Sequence, residues 1–192
     1  MHTNRYQYKN LIIEVSNEPN YRFDSNDDNF CYSKHYSADG VKEYPTSKHG
    51  IKIYCENQVI DSCIVIGSGG ATGIHKNSAL FDGDQLLLCC CNTIFCLTLP
   101  TFELKWKTQA DEATCFQIYK YQDDYLIHGE LQISRLDRNG NIKWEFSGAD
   151  IFVSIDNEEE FIIKNDGILL TDFTGKKYKI NFDGKVLNKV QK

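Results

Sequence analysis

The stretch with most scope for chemistry is Gly67-Ser68-Gly69-Gly70-Ala71-Thr72-Gly73, followed after Ile74 by His75-Lys76-Asn77. Glycine-rich turns cradle phosphates by turning several backbone N–H groups toward one point, and a neighbouring lysine or histidine would add positive charge. This loop lacks the Gly-Lys-Ser/Thr ending of a phosphate-binding loop, and no helical pattern follows it. The competing reading is a strand connection in which glycine lets two backbones approach closely. A permissive loop on rigid sheets is where function concentrates, so Gly69, Gly70, Thr72, His75, Lys76 and Asn77 are the candidate binding residues.

Other reactive side chains carry weaker patterns. Cysteines stand at 31, 55, 63, 89, 90, 91, 96 and 115, with no C-x-x-C pair. Cys89-Cys90-Cys91 continues the apolar run Leu86-Leu87-Leu88, so successive thiols should point to opposite faces of a strand, as small buried hydrophobes. A metal site from Cys89, Cys91 and His75 is conceivable, but no ligand spacing supports it, and no metal or cofactor is expected. His128 lies in an apolar run and reads as packed or solvated. Asp123-Asp124 and Glu158-Glu159-Glu160 both precede apolar strands; paired carboxylates can do acid–base work, but recurrence before a strand marks hairpin residues. No Ser/His/Asp spacing is recognisable, and no catalytic residue is assigned.

Strands must position these groups. In Tyr119–Gly148, Tyr125-Leu126-Ile127 is a short apolar run. Leu131, Ile133 and Arg135 then alternate with Gln132, Ser134 and Leu136, which is a period of two. Asn139-Gly140 follows, the signature of a hairpin with a type I′ turn. Ile142, Trp144 and Phe146 alternate with Asn141, Lys143 and Glu145, giving one face to bury and one to solvate. Comparable units flank this one. Asp82-Gly83-Asp84, Leu86–Leu88, Ile94–Leu97, Pro100-Thr101 and Leu104-Lys105-Trp106 lie upstream. Phe161-Ile162-Ile163, Ile168-Leu169-Leu170 and Tyr178-Lys179-Ile180 lie downstream. Cys115–Ile118 matches Ile151–Ser154 as a lead-in strand. A repeat of about 40 residues with about four short strands is the signature of a propeller blade.

The run from Ser134 through Leu136-Asp137, Gly140 and Trp144 resembles the blade motif of the quinoprotein-like (PQQ-repeat) β-propeller superfamily. Weaker copies are Leu97–Trp106 and Asp172–Tyr178, so the resemblance covers about residues 78–187. It implies propeller-like architecture and, because blades are shared by unrelated activities, no particular function. Three recognisable repeats fall short of the four to eight blades of closed propellers. No residues match the ligands of a quinone cofactor, so no site is carried over.

The remaining N-terminal region is read more coarsely. Residues 1–66 hold further strands: Tyr6–Val15 with Leu11, Ile13 and Val15 on one face, Phe30-Cys31-Tyr32, and a hairpin over 49–66 turning at Asn57-Gln58. Residues 16–29 read as a polar, acidic loop, and Asp39-Gly40 and Tyr44-Pro45 as turns. The apolar end of Val59–Ile66 predicts a central strand covered on both faces. This region is a degenerate blade or a capping sheet.

Composition narrows the function classes. The 192-residue chain is 41% hydrophobic and 12% aromatic, with 13 glycines, 3 prolines and one methionine, which favours strands and tight turns over a helical bundle. One domain, 1–192, is expected, with three repeats over 78–190. The net charge is −6 and the basic residues are scattered, arguing against nucleic acid, whose grooves need a basic stripe. No run is long enough for a secretory h-region or a membrane span, so a cytoplasmic protein without membrane contact is expected.

The reading is an all-β protein of antiparallel, propeller-like hairpin repeats, partial or small. Its expected role is a non-catalytic interaction module, of immunity or adaptor type, setting an acidic face against a protein partner. The alternatives are an enzyme or small-molecule binder using loop 67–77, and a structural subunit. For a cytoplasmic chain with cysteines in strands, titration of the denatured, unreduced protein should find eight free thiols. A clearly lower count in protein purified without oxidation contradicts the reading.

Overall fold

The computed structural model describes residues 3–22, 31–41, 45–154 and 159–189. Part of the expected acidic loop (23–29), Phe30, Tyr44 and Glu158 lie outside them. The described residues form seventeen strands in four sheets and no helix. The first sheet holds β1 (Thr3–Tyr8), β2 (Leu11–Asn17), β3 (Lys34–Ser37), β4 (Ser47–Cys55) and β5 (Gln58–Gly67). The second holds β6 (Ala79–Phe81), β7 (Gln85–Cys90), β8 (Thr93–Thr98) and β9 (Leu104–Gln109). The third holds β10 (Cys115–Tyr121), β11 (Asp124–Gly129), β12 (Ile133–Leu136) and β13 (Ile142–Phe146). The fourth holds β14 (Phe161–Lys164), β15 (Gly167–Thr171), β16 (Lys177–Ile180) and β17 (Val186–Lys189). The last three are simple antiparallel meanders. The first runs β1-β2-β4-β5-β3, with β3 returning to pair parallel to β5.

Alternation produces this stacking. Cys89 and Leu87 face the third sheet, whereas Cys90, Leu86 and Leu88 face the first. The second and third sheets therefore each sit between two apolar layers. Tyr8, Ile13, Val15, Ile51 and Ile53 meet Leu86, Leu88 and Phe95 between the first and second sheets. Leu87, Ile94 and Cys96 meet Ile118, Tyr125 and Ile127 between the second and third. Leu126 and Ile133 meet Phe161, Ile168, Leu170 and Ile180 between the third and fourth. No core cluster among the described residues joins the fourth sheet to the first, so the sheets form an open series.

A repeated contact fastens each joint at the outer strand. Trp106 Nε1 donates to Arg138 O at 3.2 Å, and Trp144 Nε1 donates to Phe182 O at 2.9 Å. Each indole lies on the glycine two residues beyond its acceptor: a Cβ on Gly140 would come within 2.6 Å of the Trp106 ring, and one on Gly184 within 2.7 Å of Trp144. Both glycines have positive φ, 83° and 75°. At the first joint Tyr36 of β3 takes the tryptophan's role, its hydroxyl donating to Phe102 O at 2.9 Å, and Phe102 occupies the glycine place with φ 49°. The β4–β5 hairpin of the first sheet and the last hairpin of each of the other three also carry a register shift, Ile53/Tyr54, Cys96/Leu97, Arg135/Leu136 and Lys179/Ile180.

Several expectations are corrected. The turn at Asn139-Gly140 is not type I′, because Asn139 does not have positive φ. Gly140 N donates to Asp137 O and Asp137 N to Asn141 O, a type I turn closed by a left-handed glycine bulge. The residues with paired positive φ are Glu56 (50°) and Asn57 (68°), so the β4–β5 hairpin turns one residue earlier than expected. Tyr6–Val15 is a hairpin, and Cys31-Tyr32 is not strand. Asp124 opens the second strand of its sheet whereas Glu160 precedes a first strand, so those carboxylates are not equivalent. Ile151–Ser154 is not a strand, and the true counterpart of Leu136–Gly140 is Ile180–Gly184, not Asp172–Gly175. Cys91 lies in the β7–β8 turn rather than the strand.

Two measurements test these joints. Gly140→Ala should lose about 2–4 kcal/mol, from left-handed strain plus collision with the indole. In a Trp106→Ala background the same change should cost only about 1 kcal/mol, because only the conformational term remains. Additive losses in denaturant titrations would rule out the contact.

His49, fully buried in β4, has no hydrogen-bond partner at either ring nitrogen. Burial pushes its pKa down from 6.5 to about 4. His128 is likewise buried and lowered to about 4, burial being the main cause. The unfolded chain therefore takes up these protons first, and stability is lost as pH falls from about 6.5 toward 4. His49→Leu removes an unsatisfied polar group at similar volume, so it should leave stability at pH 7 equal or higher and flatten the acid limb. An unchanged acid limb counts against the assignment.

Candidate functional site

The glycine loop is the first of three connections that stitch neighbouring sheets together. Gly67, at the end of β5, lies against Cys90 O and Cys91. Gly70 N donates to Ala113 O at 3.1 Å, and a Cβ on Gly70 would collide with Thr114 Oγ1. Thr72 is buried; its N–H donates to Ser47 Oγ at 2.9 Å and its hydroxyl reaches Cys91 O and Cys115 O, each at 3.3 Å. Gly69, Gly70 and Thr72 are thus brought together as packing between sheets, and the Thr72 N–H and hydroxyl are already bonded. Two later connections act likewise. The buried Asp111 carboxylate accepts from the backbone N–H groups of Ala113, Thr114, Leu131 and Gln132 at 2.6–3.0 Å. Burial pushes that carboxyl up, against the four N–H groups. Thr114 Oγ1 donates to Glu130 Oε2, and Phe152 N donates to Glu130 O.

The C-terminal part of the same loop behaves differently. His75 and Lys76 are exposed, Asn77 half-buried. Ser78 Oγ fixes the turn by accepting from His75 N at 3.0 Å and donating to His75 O at 2.9 Å. Asn77 O accepts from Ile118 N, tying the loop to β10, and Asn77 Nδ2 donates to the Tyr119 hydroxyl at 3.2 Å. Tyr119 in turn donates to Gln117 Oε1 at 2.6 Å. His128 reaches the Gln117 amide through Nδ1 at 3.3 Å and Phe152 O through Nε2 at 3.0 Å. Both facing oxygens only accept, so the neutral ring donates to one of them at a time: with its proton on Nε2 it bonds Phe152 O, and with its proton on Nδ1 it bonds Gln117 Oε1.

Aromatic rings fix this chain in place. Phe161 stacks on His128 (5.2 Å between centroids) and on Tyr119 (5.1 Å), and Phe116 meets His128 edge-on at 5.5 Å. Burial raises the Tyr119 phenol, with Glu159 and Glu160 adding to the effect. The half-buried rings and amides of Phe116, Gln117 and Tyr119, with exposed His75 and Lys76, form a patterned surface on rigid strands. Its groups hydrogen-bond and stack.

Sequence reasoning singled out His75, Lys76 and Asn77 but not Gln117 and Tyr119, which the hydrogen bonds link to Asn77. The one available signal was alternation in β10, which puts Gln117 and Tyr119 on the face opposite Ile118. The cysteine and histidine once considered together do not converge among the described residues: Cys89 is buried in the core between the second and third sheets, and no group of three His, Cys, Asp or Glu there could hold a metal.

Comparison with known proteins gives the fold alone. No protein-family model and no curated protein sequence matches the chain. Among solved structures, the CNH domain of AfRom2 is similar over 98% of this chain at 11% identity and a TM-score of 0.53. This chain spans about half of that domain, 53% of its length. BamB from Moraxella catarrhalis is similar over 75% of this chain and 42% of its own, with 12% identity and a TM-score of 0.44. The WD40 β-propeller domain of Doa1 covers 71% of this chain and 42% of its own, with 16% identity and a TM-score of 0.40. The architecture is propeller-like and all-β.

Proposed function

We propose that this chain is a non-catalytic, cytoplasmic protein-interaction module of adaptor or immunity type, binding a protein partner through the surface of His75, Lys76, Asn77, Phe116, Gln117 and Tyr119. One observation carries the reading: aromatic faces and amides are held half-buried by the hydrogen bonds from Asn77 through Tyr119 to Gln117 and by the stacking of Tyr119 on Phe161. Such preorganised, low-entropy groups suit recognition, because little freedom is lost on binding. The net charge of −6, with Glu159 and Glu160 near Tyr119, favours a basic partner. Buried thiols fit a reducing compartment.

The test compares wild-type protein with Tyr119→Ala and Asn77→Ala variants, after circular dichroism has established that all three fold. Affinity enrichment followed by titration calorimetry against the purified partner should show a basic protein retained by the wild type. Its binding should weaken at least tenfold in Tyr119→Ala and fall as salt rises. A partner that binds both variants equally well would place the interface elsewhere and reject this surface.

A further inference from the structure

The connections that leave the second and third sheets are anchored differently. After β9 the chain is tied at once to a turn of its own sheet: Ala110 N and Asp111 N donate to Asn92 O at 2.9 and 3.4 Å. Thr93 pairs with Gln109 there as Ile133 pairs with Phe146 in the third sheet, so Gln132 O is the counterpart of Asn92 O. That carbonyl is already engaged, because the β11–β12 turn is longer and Gly129 N donates to it at 2.9 Å. Neither Ser147 N nor Gly148 N bonds to it. By the same register Gly148 stands where the second sheet has Asp111, whose carboxylate fills the space under the next turn.

A cavity of about 380 Å³ opens at this place, between the β11–β12 turn and the chain leaving β13. Its walls include Glu112, Leu131, Gln132, Ser147, Asp150 and Ile151. That volume accommodates a small ligand or one long side chain. Leu131 and Ile151 are half-buried and supply apolar surface, whereas Glu112 and Asp150 are exposed carboxylates. Asp150 is oriented by Ile151 N, which donates to its Oδ1 at 2.8 Å. The Glu112 carboxylate, the Gln132 amide and the Ser147 hydroxyl have no partner among the described residues. No basic side chain lines the cavity.

This lining selects a ligand that is apolar along its length and cationic at its end. An alkyl stem packs on Leu131 and Ile151 while its head stays at the wet, acidic rim. The rim offers several separate acceptors, the Glu112 and Asp150 carboxylates, the Gln132 carbonyl and the Ser147 hydroxyl. A guanidinium, with five N–H donors in a planar fork, can engage more of them together than an ammonium can. We propose that this cavity binds an alkylguanidinium group, its head held by Glu112 and Asp150 and its stem lying on Leu131 and Ile151. The cavity shares no lining residue with the surface of His75, Asn77 and Tyr119, so it is a second site.

The test is titration of the isotope-labelled protein, followed by NMR at the Ser147 and Gly148 amides and the Leu131 and Ile151 methyl groups. The probes are butylguanidine and the blocked peptide acetyl-Gly-Arg-Gly-amide, with butylurea as a neutral control of like shape. Wild-type protein should show saturable shifts at these groups that weaken as salt rises, and butylurea should give none. Glu112→Gln combined with Asp150→Asn keeps both side-chain shapes, so the melting temperature should stay close to the wild-type value while binding weakens by about tenfold. Binding of either probe supports the site: butylguanidine alone marks a free guanidino compound, and the peptide marks an arginine of a protein partner. No saturable shift with either probe, butylurea binding as well as butylguanidine, or a double variant that binds like the wild type overturns the proposal. Tyr119→Ala should leave probe binding unchanged, so failure here and failure of the partner-binding surface are read separately.

Discussion

Neighbouring sheets are held in register by an outer-strand hydrogen-bond donor seated on the next sheet's turn. Trp106 and Trp144 each combine an N–H bond to a carbonyl with a ring laid flat on backbone. The carbonyl can face the indole only if the residue two places on turns left-handed, and the ring can approach only if that residue is glycine. Asp137 and Asn181 make the turn reproducible. Asp137 Oδ1 accepts from Asn139 N and Asn141 N, and Asn181 Oδ1 from Asp183 N and Lys185 N. Phe182 O serves Arg135 Nη1 as well as Trp144, and Arg135 also pairs with Asp124 at 2.5 Å. Burial works against the Asp124 charge, but Lys143 and Arg135 hold its carboxyl below the usual range.

The first joint is built differently: its acceptor is the carbonyl of the left-handed residue itself, Phe102, not of the residue two places before it. Phe102 is fully buried in the core and still turns left-handed, which is costly for a bulky residue. Its ring fills the core against the first sheet, and its carbonyl is met by a tyrosine reaching from a parallel strand. Insertion of the segment that carries β3 thus replaces the tryptophan with a donor of different length and origin. Thr98 Oγ1 accepts from Glu103 N at 3.1 Å, doing for this turn what Asp137 does for its own.

Local signals survived folding and long-range ones did not. The period-two runs at 133–136 and 144–146, the hairpin at 49–66 and the burial of Val59–Ile66 toward its end follow from side-chain alternation, whereas Leu131-Gln132 lie outside the strand and Ile142, expected on the buried face, is exposed. The phase of the repeat was less legible. First and second strands of each sheet are both short and apolar, so slipping the comparison by one strand left the period almost unchanged. The turn type at Gly140 escaped because Asn-Gly satisfies either turn; the aspartate at 137 decides between them by capping two N–H groups. Asp111 gave no sign, and Gln117 only the alternation of β10, since their partners lie far along the chain or on another strand.

The same reasoning separates the two halves of the glycine-rich loop. Its first half is consumed by contact: Gly70 and Thr72 are pressed against residues of two later sheets, and their N–H groups are spent on Ala113 O and Ser47 Oγ. A phosphate would find those donors already bonded. Beyond Gly73 the chain has crossed the joint and no longer needs to fit between sheets, so His75 and Lys76 emerge into solvent while Asn77 still grips β10. Variation at the emerging residues leaves the joint intact, because the packing that sets their position lies behind them. This division lets a stiff scaffold carry a surface free to diversify, and the half-exposed rings of Phe116 and Tyr119 extend that surface onto the sheet itself.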